Sequence, residues 1–367
     1  MGRSSRFALA IAVLLAGCAS PSVSPPASSA PTATAAPTIV ESSAPTATPT
    51  VPAWRELTPS GDAPFAREDH TWTLTPDGET AYLFGGRGSN GGPLGDLWAY
   101  DLSANGWTPV TEDGPPARFG HNAAWVDGVG LVLFAGQAGA TFYNDLWAFD
   151  PAAASWQQLP AGGAVPVPRY GSCAAIGPDG RLWISHGFTQ EGQRFADTRA
   201  YDFSIDTWTD ETPTAGAPIE RCLHACWWTD DDAFALYAGQ TTGTNSLDDL
   251  WRLTVGERPG TNTWTELAPD GESPPARNLY AAARFAAGTV IVGGQALDGS
   301  ALADSWYLAD DGSARPLAIE GTSPPPRWAA ELVSHQEGGR LLLFGGRDTD
   351  GARNDVWELA VGGSTIP

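Results

Sequence analysis

Six arginines recur at matching places along the chain, each shortly after a proline. A guanidinium group can bind an anionic ligand through paired donors, or it can pair with carboxylates and carbonyls of its own chain. Because the arginine returns in every copy, we favour the structural interpretation, with a recurring aspartate such as Asp96 or Asp355 as partner. Anion binding stays open as the alternative. The six are Arg67, Arg118, Arg169, Arg221, Arg277 and Arg327.

The residue after each of these arginines differs from copy to copy, so repetition does not explain its type. Aromatic side chains beside arginine suit a sugar ring or a peptide side chain. Packing beneath neighbouring loops is the alternative. The six positions are Glu68, Phe119, Tyr170, Cys222, Asn278 and Trp328. All of them except Cys222, together with the six arginines and His70, make up the predicted ligand-binding set.

Arg67, Glu68, Asp69 and His70 form the densest titratable cluster in the sequence. Acid–base catalysis would need such groups to converge on a cleft. Histidine also occurs three residues after the arginine in two other copies, which favours a recurring hydrogen bond in the core. We therefore predict no catalytic residue here.

The chemistry-bearing positions belong to a repeat of about fifty residues. Its marks are an apolar run closed by a glycine doublet, and a third strand that starts with aspartate and usually has tryptophan two residues later. The second doublet positions lie 50, 51, 52, 55 and 52 residues apart. They are Gly86, Gly136, Gly187, Gly239, Gly294 and Gly346. Short apolar runs bounded by glycine and proline predict strands, not helices.

This repeat resembles the kelch family over residues 54–361. We expect each recurring arginine to open the first strand of its copy. The resemblance implies a β-propeller with four-stranded blades and with the first strand innermost, so that the arginines lie near the mouth of a central channel. It extends to the superfamily of the galactose oxidase central domain. No copper-ligand set of that enzyme matches here, the Glu-x3-Asp-x3-His pattern of an iron-binding plant group is absent, and no residue carries over from the sialic acid mutarotases.

Counting strands predicts six blades and the way the ring closes. There are six sets of first to third strands, but only five fourth strands follow them: at Trp107, Trp156, Trp208 and Trp264, and in a degenerate form at residues 315–319. Trp54-Arg55-Glu56-Leu57 matches these fourth strands at the other end of the chain. We predict an all-β, six-bladed propeller whose last blade is closed by the strand at Trp54.

The N-terminus predicts export and a lipid anchor. Arg3 and Arg6 precede a short apolar segment, and residues 15–18, Leu-Ala-Gly-Cys, resemble a bacterial lipobox. We expect a signal peptide over 1–17, lipidation at Cys18, a tether of mostly Pro, Ser, Ala and Thr over 18–53, and the propeller over 54–367. An ordinary secretory signal is the alternative. The tether would span about 100 Å if extended.

Cys222, His224 and Cys226 alternate, so they share one face of a strand. Same-face neighbours lie about 6.6 Å apart, which suits no single zinc ion, and we predict no metal. Cys173 occupies the equivalent strand of the preceding copy. Export permits a disulfide from Cys173 to Cys222 or Cys226, with free thiols as the alternative.

Charge and composition limit the partners. The formal net charge of −22 disfavours nucleic acid. We expect no cofactor, membrane contact only through the lipid, and a monomer. The main prediction is a binding module that recognises a protein, peptide or glycan through the loops from strand two to three and from strand four to the next strand one. A mutarotase- or lyase-like carbohydrate enzyme at the channel mouth, and a purely structural envelope protein, are the alternatives.

Overall fold

The computed structural model describes residues 51–258, 260–268 and 271–361. They form six antiparallel blades around a central channel lined by the inner strands. Blade I consists of Thr71–Leu74, Thr80–Phe84, Leu97–Asp101 and Gly106–Thr111. Blade II consists of Asn122–Val126, Gly130–Phe134, Leu146–Asp150 and Ser155–Leu159. Blade III consists of Cys173–Ile176, Leu182–Ser185, Thr198–Asp202 and Thr207–Asp210. Blade IV consists of Ala225–Trp228, Phe234–Gln240, Ser246–Thr254 and Thr263–Leu267. Blade V consists of Ala281–Arg284, Gly288–Val292, Ser305–Ala309 and Ala314–Pro316. Blade VI consists of Glu331–His335, Arg340–Phe344, Val356–Ala360 and Ala53–Leu57.

The predicted six-bladed, all-β propeller is confirmed, and so is its closure. Ala53–Leu57 pairs antiparallel with Val356–Ala360, with Trp54 opposite Leu359. Trp54 is buried in a cluster that joins blade V to blade VI, and it shares that cluster with Val290 and Tyr307. The first strand of the described chain therefore completes the last blade and leaves no gap in the ring.

The ends of the blades define two faces. The connections from second to third strands, and from each fourth strand to the next blade, lie on one side, which we call the loop face. The tight turns between first and second and between third and fourth strands lie on the other, the turn face. Within the described residues the only helical segment is the 3-10 turn Thr242–Thr244, and none could cross a membrane.

Backbone geometry explains why the second residue of each doublet is always glycine. Its φ lies between 86° and 107° in all six copies, a region that L side chains rarely adopt. A Cβ on Gly86 would also lie 2.8 Å from the Cβ of His70. The first doublet residue has a φ near 60°, which other residues tolerate. Ala135, His186 and Ala238 occupy it in three blades.

Two strand boundaries differ from the predictions. The degenerate fourth strand of blade V covers Ala314–Pro316 and ends before residue 319. The arginines do not open the inner strands but precede them by four residues. In blade I, Arg67–Glu68 makes its own two-residue ladder with Arg87–Gly88. This ladder decides which side chains reach the surface.

A disulfide joins Cys173 to Cys226, with their Cα atoms 5.6 Å apart. The bond links the inner strands of blades III and IV, one of the pairings left open by the sequence. Cys222 is the free cysteine of the described residues and is buried. Cys18 lies outside the described residues.

Candidate functional site

Each recurring arginine is buried and links two loop-face connections of its blade. We call this arginine and its hydrogen-bond partners the strut. The Arg118 guanidinium donates to both carboxylate oxygens of Asp145, at 2.6 and 2.9 Å, and to the carbonyl of Ala135. Its Nε donates to the carbonyl of Pro116. Burial would raise the pKa of Asp145, but the hydrogen bonds and charge of Arg118 hold it below its ordinary value. The same pairing occurs in all six blades, at Asp96, Asp145, Asp197, Asp249, Asp304 and Asp355.

A tryptophan completes this strut in five blades. In blade II, the Trp147 indole donates to the second oxygen of Asp145 at 2.7 Å. Blade III has no such tryptophan, and the Nε of Arg199 donates to Asp197 instead, at 3.2 Å. The departure from the repeat at Arg199 thus preserves a donor to the same carboxylate.

The strut presents one apolar residue outward in every blade. In each blade the arginine Nε donates a hydrogen bond to the carbonyl of the residue two positions earlier. The side chain of that earlier residue is exposed on the loop face. We call this set the apolar rim. All six members are exposed, Phe65 by 75%. They are Phe65, Pro116, Val167, Ile219, Pro275 and Pro325.

Eleven of the twelve predicted ligand-binding residues are buried, and only Trp328 retains partial exposure. Each of the six arginines donates four hydrogen bonds from its guanidinium group to its own chain, as Arg67 does. Asn278 donates to the hydroxyl of Ser246 at 2.9 Å. Phe119 and Tyr170 pack edge to face, with their ring centres 5.8 Å apart. Packing beneath loops therefore describes these positions, and their ligand-binding role stays a prediction.

The partly exposed residues are the partners across the short ladders. The residue after each glycine doublet bridges to the residue after each arginine. These partners surround the channel mouth and remain partly exposed. They are Arg87, Gln137, Phe188, Gln240, Gln295 and Arg347. None of these six was among the predicted site residues, although their types vary at a fixed repeat position, which is a signal visible in the sequence.

Two arginines meet one buried carboxylate at the mouth. Arg87 Nε and Arg347 Nη1 lie 3.0 and 2.9 Å from Glu68 Oε1. Their side chains are 38% and 36% exposed, while that of Glu68 is 1% exposed. Arg87 also lies over the ring of Phe119, and Arg347 pairs through its backbone with Trp328. The centre of the loop face therefore exposes two guanidinium groups, paired with buried carboxylates, beside the partly exposed Trp328.

A closed ring of six backbone hydrogen bonds encircles the channel below this centre. The amide of Gly120 donates to the carbonyl of Asp69, and each next blade repeats the step until Ala329 donates to Leu279 and Asp69 to Ala329. The six distances run from 2.7 to 3.1 Å, and all six residues have a φ between 53° and 62°. Tyr170 lies over Gly120, where a Cβ would come within 1.9 Å of its ring.

Two carboxyl groups beside this ring of backbone hydrogen bonds have raised pKa values. Burial raises the pKa of Asp69 to about 6, although the charge of Arg87 opposes the shift. The Asp69 carboxylate accepts a hydrogen bond from the Tyr170 hydroxyl at 3.0 Å. Burial raises the pKa of Glu331 to about 8, and the charge of Asp69 adds to the shift. Both residues line the channel, whose volume is about 580 Å³.

The four residues of the titratable cluster contact different partners. Arg67 binds Asp96, Glu68 meets Arg87 and Arg347, Asp69 meets Tyr170, and the His70 ring packs edge-on against Phe344. Burial holds the pKa of His70 well below its ordinary value. His121, by contrast, shares a hydrogen bond with the Thr71 hydroxyl at 2.9 Å. The predicted recurrence of this bond is wrong for the other two copies, because both ring nitrogens of His70 and of His224 have no hydrogen-bond partner within the described residues. No group of three or more metal-ligating side chains occurs within the described ranges.

Known proteins support the fold. A solved structure titled "Structure of YjhT" superposes with a TM-score of 0.63 at 18% identity, covering 80% of this chain and 95% of its own. The chain is 28% identical over 344 residues to Adagio-like protein 1 of Oryza sativa subsp. japonica, covering 86% of this chain and 52% of that protein. It is 27% identical over 241 residues to human Kelch domain-containing protein 3, covering 60% of this chain and 61% of that protein.

The chain spans only about half the length of its plant relatives. A family model described as the KLHDC2/KLHL20/DRC7 Kelch-repeats domain matches residues 47–236 and 218–361. These two matches cover the whole ring of blades. Propellers of this kind commonly serve as protein-interaction modules. The chain belongs to the kelch-repeat family.

Proposed function

We propose that the protein is an extracytoplasmic recognition module that binds a protein or peptide through its loop face. The distribution of exposed apolar side chains carries this proposal. Six large ones are exposed among the described residues, and five of them lie in loop-face connections. Those five are Phe65, Val165, Val167, Ile219 and Leu297, while Ile205 lies in a turn of the other face.

Exposed carboxylates occur on both faces, with Asp62, Glu112 and Asp298 among those in loop-face connections. The faces differ in what accompanies the carboxylates, because the turn face has one large exposed apolar side chain, Ile205, among the described residues. The acidic residues of the turn face include Asp77, Asp127, Asp179, Asp206, Asp230, Asp231, Asp232, Asp310 and Asp311. The loop face instead combines the apolar rim with Arg87, Arg347 and Trp328 at its centre. Aromatic residues and arginine are the types that carry most binding energy at protein interfaces.

A peptide and glycan array tests this proposal, probed with the whole chain carrying Cys18→Ser. We expect peptide ligands whose binding falls at least tenfold in Trp328→Ala/Arg347→Ala. Ile205→Ser serves as the matched control on the turn face and leaves binding unchanged. Peptide binding that survives the double substitution, or binding to glycans alone, would refute the peptide assignment.

The location of this module is a second part of the proposal. Cys18 would carry the lipid, and residues 18–53 would act as the tether; the residues before 51 lie outside the described ones. Detergent-phase partitioning and mass spectrometry of the expressed protein test it. We expect a lipid-modified N-terminal cysteine and a detergent-phase protein, with Cys18→Ser moving to the aqueous phase. An unmodified Cys18 would contradict the anchor.

One observation favours a second candidate, a carbohydrate-active enzyme at the channel mouth. Carboxyl groups with raised pKa values, such as Asp69 and Glu331, occur often at catalytic sites. Anomer exchange followed by NMR, with Asp69→Asn and Glu331→Gln as variants, tests this candidate. Exchange that both variants retain would exclude these two groups as its acid and base.

A further inference from the structure

A row of four aromatic rings reaches the loop face between blades II and III. Phe119 packs edge to face against Tyr170, with ring centres 5.8 Å apart. Phe188 packs edge to face against Tyr170 on one side and Phe142 on the other, at 5.1 and 5.8 Å. Phe119 and Tyr170 are buried, whereas Phe188 and Phe142 are partly exposed. The row therefore ends at the surface with two adjoining rings, Phe142 and Phe188, which we call the phenylalanine pair.

Both members of the phenylalanine pair depart from the repeat. In every blade, the residue after the glycine doublet bridges to the residue three positions before the aspartate of the strut. Phe188 occupies the first of these positions in blade III, where the other blades carry arginine or glutamine. Phe142 occupies the second in blade II, where the other blades carry Pro93, Arg194, Ser246, Ala301 and Ala352. The geometry of the repeat therefore requires phenylalanine at neither position, yet the two rings meet.

The apolar rim adjoins the phenylalanine pair. The connection into blade III runs beside the segment that carries Phe142. The side chain of Asn144 donates to the carbonyl of Pro166 at 2.9 Å, and the amide of Arg169 donates to the carbonyl of Tyr143 at 3.0 Å. Val167, which is 48% exposed, belongs to this connection. The pair and one member of the rim thus lie on neighbouring segments of the loop face.

The charges near the pair favour an uncharged guest. The loop after Phe188 carries one exposed carboxylate, Glu191, and one partly exposed guanidinium, Arg194. Arg194 donates to the carbonyl and the side-chain oxygen of Gln240, at 3.2 and 3.0 Å. Because the two charges have opposite signs, the loop favours neither an anion nor a cation. An aromatic ring suits the pair, since edge-to-face contacts stabilise a ring beyond the burial of its surface.

The remainder of the chain offers no such ring in its mature form. Outside the described residues the sequence contains one aromatic residue, Phe7, which belongs to the expected signal peptide. The expected tether over residues 18–53 contains no aromatic residue at all. A ring that covers the phenylalanine pair must therefore come from another molecule.

We propose that the phenylalanine pair is the subsite for an aromatic side chain of the peptide or protein bound at the loop face. This inference rests on the proposed recognition function and adds the chemical class of the partner's anchoring residue, which is phenylalanine, tyrosine or tryptophan. The guest ring extends the row of edge-to-face contacts by a fifth member.

N-acetylphenylalaninamide is the probe, and N-acetylleucinamide is its counterpart without a ring. Saturation-transfer NMR titrations use the whole chain carrying Cys18→Ser. We expect the affinity for the aromatic amide to fall about fivefold in Phe142→Leu/Phe188→Leu, because this change removes two rings and keeps apolar volume. The weaker binding of the leucine amide should change less than about twofold. Thermal unfolding of the double variant checks that its fold is retained.

Phe203→Leu is the matched control. Phe203 packs edge to face against Tyr201 at 5.0 Å, but it lies on the turn face, so its replacement should leave the binding of both amides unchanged. An aromatic amide that does not bind, or that binds the folded double variant as tightly as the wild type, would overturn the subsite.

The peptide array separates this inference from the proposed function. Replacing an aromatic residue of an array ligand by leucine should weaken binding to the wild type but not to the double variant. Ligands that keep full affinity without any aromatic residue would overturn the subsite and leave loop-face recognition standing. An array without any peptide ligand would refute both.

Discussion

The guanidinium of Arg118 organises two loops at once. It fixes one connection through Asp145 and another through the carbonyl of Pro116, and its own surface is fully buried. Such a group is costly to bury and even costlier to leave without its partner. The repeated arginine is therefore a structural element, and its function is indirect: it sets the position of the apolar rim.

Arg118→Ala should lower the free energy of unfolding by about 3 to 5 kcal/mol, because it leaves the Asp145 carboxylate partly buried without its counter-ion. Arg258→Ala, at an exposed position, should cost less than about 0.5 kcal/mol. Urea unfolding followed by fluorescence measures both. A loss at Arg118 no larger than the loss at Arg258 would show that the pair is not structural.

Glu331 gives stability an unusual dependence on pH. Its pKa in the folded protein, about 8, exceeds its ordinary value of 4.5, so the folded state holds the proton more tightly. The unfolding free energy therefore falls as pH rises from about 4.5 to 8. Asp69 adds the same sign between 3.8 and about 6.

Glu331→Gln should match the wild type in stability at pH 5 and exceed it at pH 8, because glutamine stays neutral at both. Urea unfolding at the two pH values measures the difference. Glu337→Gln, at an exposed position in the adjacent turn, should track the wild type throughout. Equal stability of Glu331→Gln and wild type at pH 8 would contradict a protonated Glu331.

At the residue scale, the sequence predicted the arginine–aspartate pairing but not the exposed surface. The pairing was predictable because the arginine and the aspartate both recur in all six copies. Exposure depends on which strand of a two-residue ladder faces solvent, and no periodicity reveals that in so short an element. The residues after the arginines were therefore expected at the surface, where Arg87 and Arg347 lie instead.

At the scale of the element, the glycine doublet lets the second strand leave its sheet without a clash. The first position adopts a left-handed φ that alanine and histidine accept in other blades. The second adopts a φ near 100° and lies against the backbone of the preceding loop. The repeat pattern made this doublet visible, but only the two φ values explain why one of its members varies.

Gly136→Ala should destabilise the protein by at least about 2 kcal/mol, because its φ of 97° is strained for alanine and its Cβ would lie 2.8 Å from the Cβ of His121. The neighbouring Ala135→Gly should change stability by less than about 1 kcal/mol, since glycine accepts the same φ freely. Thermal unfolding compares the two. A similar small effect at both positions would be evidence against backbone strain as the cause.

At the scale of the whole molecule, six blades close because the strand at Trp54 completes the blade that starts at Glu331. The count of fourth strands predicted this closure, since the last copy has no room for its own. The choice among the cysteines was not predictable in the same way. It depends on the three-dimensional register that brings Cys173 opposite Cys226 while Cys222 lies before its strand.

Trp54→Ala should lower the free energy of unfolding by about 3 to 5 kcal/mol, because it removes a buried indole from the cluster between blades V and VI. Arg55→Ala in the same strand removes an exposed side chain and should cost less than about 1 kcal/mol. Urea unfolding checks both values. Equal losses would argue against closure through Trp54.

Site-specific photo-crosslinking in intact cells tests recognition through the loop face. A photoreactive phenylalanine analogue replaces Phe65 on the loop face or, in the matched control, Ile205 on the turn face; both are well exposed, at 75% and 63%. We expect a discrete protein or peptide adduct at position 65, lost on adding Trp328→Ala/Arg347→Ala, and none at position 205. An adduct at 205 and none at 65 would contradict it.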